Sequence, residues 1–96
     1  MKEREYLLEL YETYKDLLSS KKQLFFNDYY YEDLSLQELA DNYKVSKAYV
    51  SKIINNIEKE LNNYEDSLHI CSRNKKIKDI IKDIPNDIKD KIEELL

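Results

Sequence analysis

The chain contains no glycine. A glycine-rich loop that cradles phosphate on its backbone N–H groups is therefore excluded. There is one proline, and with no glycine beside it little material remains for β-turns. One cysteine, Cys71, leaves no internal disulfide to form and fits a reducing, cytoplasmic setting. One histidine, His69, stands two residues before that cysteine, and such a pair does not make a zinc site without unusual carboxylate help. With no histidine to activate a serine and no carboxylate pair placed in an apolar pocket, the expectation is a protein that is not an enzyme and needs no cofactor. No apolar run approaches the ~18 residues of a membrane helix, so no membrane insertion is expected. The segment Met1-Lys2-Glu3-Arg4-Glu5 is mixed in charge and lacks the apolar core of a signal peptide.

What is present is helical material. Hydrophobic residues make up 42% and charged residues 38%, enough in 96 residues for one small core. Leu7, Leu10, Tyr11, Tyr14, Leu17 and Leu18 recur at three- and four-residue steps and predict a helix over about 3–18. Ser19 and Ser20 offer caps, and Leu24, Phe25, Phe26, Tyr29 and Tyr30 predict a second helix over 21–31. Ser35 with Glu38 forms a capping box for a third helix reaching about 42. Ser46 caps a fourth over 47–63, and a fifth over 65–83 stops at Ile84-Pro85, because a residue before proline avoids helical angles. Pro85 then suits the first turn of a sixth, striped by Ile88, Ile92, Leu95 and Leu96.

The most specific signal is the segment Asp33-Leu34-Ser35-Leu36-Gln37-Glu38-Leu39-Ala40, followed by Val45-Ser46, Val50 and Ile53. It reads as a helix-turn-helix. Ala40 is the small residue where two helices approach. Leu36, Leu39, Tyr43, Val45, Val50 and Ile53 supply apolar contacts on either side of the turn. The turn departs from the common pattern, because Lys44 stands where glycine would take left-handed angles freely; it is expected to adopt them at ~1 kcal/mol.

Such a motif lays its second helix in the major groove of double-stranded DNA. Ser46, Lys47, Ala48, Ser51, Lys52 and Asn55 fall opposite Val50, Ile53, Ile54 and Ile57, and form the candidate nucleic-acid-binding set. Lysines reach phosphates or guanine acceptors, asparagine pairs with adenine edges, and serine serves either. The net charge of −4 opposes strong non-specific binding, where domains are usually basic. Its distribution softens this: residues 44–56 hold Lys44, Lys47 and Lys52 and no acid. Arg73, Lys75, Lys76 and Lys78 form a second basic run. The nine tyrosines suggest base stacking, but Tyr6, Tyr11, Tyr14, Tyr29 and Tyr30 sit at core spacing.

Leu17-Leu18, Gln23, Phe26, Tyr29-Tyr30, the run from Glu32 to Ala40, Val45-Ser46-Lys47, Val50, and Asn63 to Leu68 resemble the YlxM family of small bacterial proteins. The resemblance covers about residues 6–70. It implies a helix-turn-helix like region 4 of sigma factors. It also implies a place in the signal recognition particle pathway, since the family's genes typically lie beside that of the particle's GTPase. Lys44 and Asp28 depart from the family pattern, the latter standing where an apolar residue is common.

The expected fold is all-α: a trihelical helix-turn-helix core without a wing, plus two extra C-terminal helices. Residues 1–64 form the N-terminal helix and motif, and residues 65–96 a helical extension of the same domain. The expected function is a DNA-binding regulator, with the resemblance placing it in the signal recognition particle pathway. The alternative is an accessory protein that binds the particle's GTPase or RNA without reading DNA. Six isoleucines from Ile77 to Ile92 stripe helices that follow an already complete core; they either fold back on the first helix or pack on another copy, and a homodimer is the favoured expectation.

Overall fold

The computed structural model describes residues 2–96, with six α-helices and no strand among them. The first helix, α1, spans Lys2–Tyr14 and closes with a 3₁₀ turn at Lys15–Leu17. Helix α2 spans Ser20–Phe26 and continues as a π turn over Asn27–Tyr31. Helices α3, Leu36–Tyr43, and α4, Lys47–Leu68, are the two arms of the helix-turn-helix. Helices α5, Ile70–Ile81, and α6, Asn86–Glu93, follow. The molecule is elongated, 52 × 25 × 24 Å.

The core lies where α1, α2, α3 and α4 converge. Leu10, Phe26, Leu39, Val50, Ile57 and Leu61 are fully buried there. Tyr11 stacks on Phe26 with ring centroids 4.0 Å apart, and Phe25 stacks on Tyr43 at 4.6 Å. Burying an aromatic or aliphatic side chain of this size is worth ~1.5–3 kcal/mol, so this cluster is the main source of stability. The periodic stripes are narrower than the sequence suggests: Tyr6, Leu17 and Leu24 stay exposed.

Short polar links fix the joints. Ser19 Oγ accepts from Lys22 N–H at 3.3 Å and starts α2. Ser35 Oγ accepts from Glu38 N–H, and Glu38 Oε1 accepts from Ser35 N–H, both at 3.0 Å, completing the capping box of α3. Asp28 accepts from the Tyr43 hydroxyl at 2.6 Å and so ties the π turn to α3.

The break between α4 and α5 is later than the expected end of the fourth helix at about 63. Helix α4 continues through Asn62 and Asn63 to Leu68, and His69 makes the turn at φ 55° and ψ 26°. Asparagine is a weak helix former, but tertiary contact overrides that weakness here. Tyr64 packs on Tyr14, and Glu65 is buried with only 7% exposed. Its carboxylate accepts from the Tyr14 hydroxyl and from the N–H groups of Cys71 and Ser72, each of the latter at 3.0 Å. Tyr14 Oη also accepts from Ile70 N–H at 3.1 Å. One carboxylate from the end of α4 thus caps the start of α5 and joins both to α1. The sequence suggests carboxylates spread over exposed helix faces, and Glu65 departs from that pattern.

Helix α5 packs on α1 and on the end of α4, and α6 follows it across Pro85. Ile81 is buried, and Ile77, Ile84 and Ile92 are half-buried. Ile80 is 77% exposed, Ile88 50% and Leu95 85%, so part of the apolar stripe has no cover within the chain.

Candidate nucleic-acid interface

The turn between α3 and α4 orients the candidate face. Lys44 takes φ 56° and ψ 47°, the left-handed conformation that glycine usually supplies. Val45 N–H closes onto the Ala40 carbonyl at 3.0 Å, the wide loop of a Schellman ending. Ala40 is buried at 2% exposure, where a larger side chain would push the two helices apart. Ser46 Oγ accepts from Tyr49 N–H at 3.0 Å and starts α4. The chain therefore builds the turn without glycine by accepting backbone strain at one lysine.

Val50, Ile54, Ile57 and Leu61 turn inward and are buried. Lys47, Ala48, Lys52 and Asn55 turn outward and are exposed. Ser46 is exposed, but its hydroxyl oxygen is committed to the cap. Ser51 is half-buried at the border of the face, so it is the least projecting member of the candidate set. The structure thus brings the six residues to the first three turns of α4, with four of them leading.

Two further parts of the face were not evident in the sequence. Asn56 and Lys59 are exposed and extend its outward side by another turn; the seven-residue step from Lys52 to Lys59 was the available signal. Lys21, at the start of α2, donates to the hydroxyl of Tyr49, which is 36% exposed at the border of the face. The Lys21 ammonium lies 4.9 Å from the Tyr49 ring centroid, outboard of the hydroxyl, so it meets oxygen rather than the π face. No signal in the sequence connects residues 28 positions apart.

The surrounding charges are sorted. Among the described residues Lys21, Lys44, Lys47 and Lys52 make no ion pair. Lys22, beside Lys21, is engaged by Glu60 at 3.0 Å. Two carboxylates are engaged by tyrosine hydroxyls: Glu12 accepts from Tyr31 at 2.6 Å as well as pairing with Lys15 at 3.2 Å, and Glu58 accepts from Tyr30. The hydrogen bond from Tyr31, outweighing desolvation, holds the Glu12 carboxyl below its ordinary range. Burial, reinforced by the same bond, pushes the Tyr31 hydroxyl up to about 12. Burial and the bond to Glu58 likewise raise Tyr30. These tyrosines are neutral donors at neutral pH, not general bases.

No group of three or more His, Cys, Asp or Glu residues among those described is arranged to hold a metal ion. No helix among them is long and apolar enough to cross a membrane. A groove of about 470 Å³ runs between α1 and α5, lined by Glu9, Glu12, Thr13, Cys71, Lys75 and Lys78 among others. It lies apart from the lysine face.

A family described as "Putative helix-turn-helix protein, YlxM / p13 like" matches residues 1–95. A UPF0122 protein of Clostridium acetobutylicum is 36% identical over 97 residues, covering 98% of this chain and 84% of its own. One of Ureaplasma urealyticum serovar 10 is 40% identical over 77 residues, covering 80% of this chain and 78% of its own. One of Lactococcus lactis is 35% identical over 82 residues, covering 81% and 74%. The chain belongs to this family.

Proposed function

We propose that this member of the YlxM / p13-like helix-turn-helix family is a DNA-binding regulator that lays the first turns of α4 in the major groove. The observation that carries the reading is the exposed, unpaired lysine face of Lys44, Lys47 and Lys52 on a capped helix-turn-helix. In this reading Lys47 and Lys52 contact phosphates or guanine acceptors. Asn55 faces base edges, and Ala48 keeps the surface low enough for close approach. Ser46 and Ser51 flank the contact. Cationic side chains on an acidic body give modest affinity that falls steeply with salt.

The test is titration of fluorescent promoter-like duplexes across salt. Log K should fall linearly with log salt. Lys47→Ala/Lys52→Ala should reduce the magnitude of that slope by about 2, one for each phosphate no longer neutralised. Undetectable binding at low salt, or a double variant that binds like the parent, refutes the reading.

Homodimerisation belongs to the same proposal, since helix-turn-helix dimers read two half-sites. Ile80 on α5, Ile88 on α6 and Leu95 just beyond it are left exposed. Helix α5 carries Arg73, Lys75, Lys76 and Lys78 against Asp79, whereas α6 carries Asp87, Asp90 and Glu93 against Lys89 and Lys91. An antiparallel second copy would set the basic α5 of one chain against the nearly balanced, slightly acidic α6 of the other, over a shared apolar stripe.

A second reading is favoured by the net charge of −4. In it the scaffold is an accessory of the signal recognition particle pathway and binds the particle's GTPase or RNA. A pull-down with each of those partners tests it, and recovery of neither removes it.

A further inference from the structure

We infer that Lys21, on α2, is part of the duplex interface, a phosphate-binding group supplied from outside the helix-turn-helix. The inference rests on the reading of the α4 face as a DNA surface. Lys21 and Lys22 are neighbours at the start of α2, but their surroundings differ. Lys22 is half-buried and satisfied by the Glu60 carboxylate at 3.0 Å. Lys21 is exposed and has no carboxylate partner among the described residues. Its ammonium is held by the neutral hydroxyl of Tyr49 instead.

That hydrogen bond places the charge. Tyr49 lies on the first turn of α4, three residues before Lys52, so the two side chains are neighbours on the helix surface. A neutral hydroxyl occupies one of three ammonium donors and cancels none of the charge. The remaining donors and the full positive charge stay at the border of the outward face. The flank formed by α3 differs: Gln37 donates to Asp41 at 3.0 Å and Glu38 completes the cap, so acids stand on that side. A helix in the major groove has a phosphate strand along each border. Of the two borders, the α2 side is the one whose charge attracts a phosphate.

The experiment measures duplex affinity from about 50 to about 200 mM salt for the parent, Lys21→Ala, Lys21→Arg and Lys22→Ala, each first checked for an unchanged melt. One neutralised phosphate contributes about 0.9 to the log–log slope, so the salt-induced weakening of Lys21→Ala over that range should be about 3.5-fold smaller than the parent's. Lys21→Arg should keep the parental slope, and Lys22→Ala should keep it too, because its charge is already paired. A parental slope in Lys21→Ala overturns the inference. So does a slope flattened equally by Lys22→Ala, which would mean a general charge effect. If binding depends on Lys47 and Lys52 but not on Lys21, this inference alone falls. If the parent shows no salt-dependent duplex binding, the DNA reading falls and takes the inference with it.

Discussion

Replacing Glu65 should cost more stability than replacing any other carboxylate in the α4–α5 region. Its side chain is almost wholly buried and receives three hydrogen bonds, from Tyr14 Oη and from the N–H groups of Cys71 and Ser72. In Glu65→Ala the Tyr14 hydroxyl, itself buried, loses its charged acceptor, worth ~1.5–3 kcal/mol. The two amides at the start of α5 lose their cap, worth a further ~0.5–2 kcal/mol, moderated because water reaches half-buried groups. The expected loss is therefore ~2–4 kcal/mol, a large part of the ~5–15 kcal/mol that holds such a domain. Glu65→Gln keeps one acceptor oxygen but turns an amide NH₂ toward a donor, so about half of that loss is expected. Urea unfolding followed by far-UV circular dichroism measures both, with the m value unchanged if the native core survives. A Glu65→Ala variant within ~0.5 kcal/mol of the parent, the range of ordinary surface changes, would show that the junction is not a structural cap.

The same junction sets a pH window. Burial alone would raise the Glu65 carboxyl, but the bonds from Tyr14, Cys71 and Ser72 outweigh it and hold the group below its ordinary value. A carboxyl depressed in the folded state stabilises it fully above the unfolded pKa, and this is lost as pH falls through the folded pKa. Burial, then the bond to Glu65, pushes the Tyr14 hydroxyl from 10.0 up to about 12. That contribution is complete below pH 10.0 and disappears as pH rises toward about 12. The stability gap between parent and Glu65→Gln should therefore be widest between these limits and shrink in acid; a gap independent of pH would refute the linkage.

Lys44→Gly should raise the urea midpoint by the equivalent of ~0.5–1 kcal/mol, because glycine removes the left-handed penalty and returns part of the gain to the unfolded chain; a lowered midpoint would contradict the strain at Lys44. Ala40→Leu should overpack the α3–α4 crossing and cost ~1–3 kcal/mol by the same assay, and parental stability would mean the helices do not cross there. In sedimentation at ~100 μM, well above typical dimer constants, the chain should be a dimer that Ile80→Asp/Ile88→Asp makes monomeric. A monomeric parent sinks the dimer proposal, and a dimeric variant moves the interface elsewhere.

The parts of the fold legible in the sequence are those decided locally. The capping box at Ser35 and Glu38, the cap at Ser46 and the small Ala40 each act within a few residues, and all of them stand where the sequence places them. The α4–α5 boundary was not legible, because its determinants are far apart in the chain. Asn62 and Asn63 weaken the helix locally, but Tyr14, about fifty positions earlier, packs on Tyr64 and bonds to Glu65. A pairing over that distance leaves no spacing to read. The π turn at Asn27–Tyr31 is similar: the tyrosines read as an ordinary stripe, whereas their hydroxyls reach Glu12 on α1 and Glu58 on α4.

The candidate face shows the same division with a functional consequence. Helical spacing alone put Lys47, Ala48, Lys52 and Asn55 on one side, because a helix's own geometry sorts its residues. It did not show that the acids nearby would be engaged elsewhere. In a chain with more acids than bases, an effective cationic face requires that nearby carboxylates be directed away from it. Neutral donors take part of that load: Tyr14, Tyr30 and Tyr43 each hold a carboxylate without consuming a lysine, whereas Glu12 takes both the Tyr31 hydroxyl and Lys15. Had lysines taken those places, as Lys22 does for Glu60, fewer would be left for the face. The abundance of tyrosine, which reads in the sequence only as core material, thus also supplies carboxylates with partners that cost no lysine. If the α4 face meets DNA as proposed, a local positive surface on an acidic molecule would bias the orientation of encounter before any base is read.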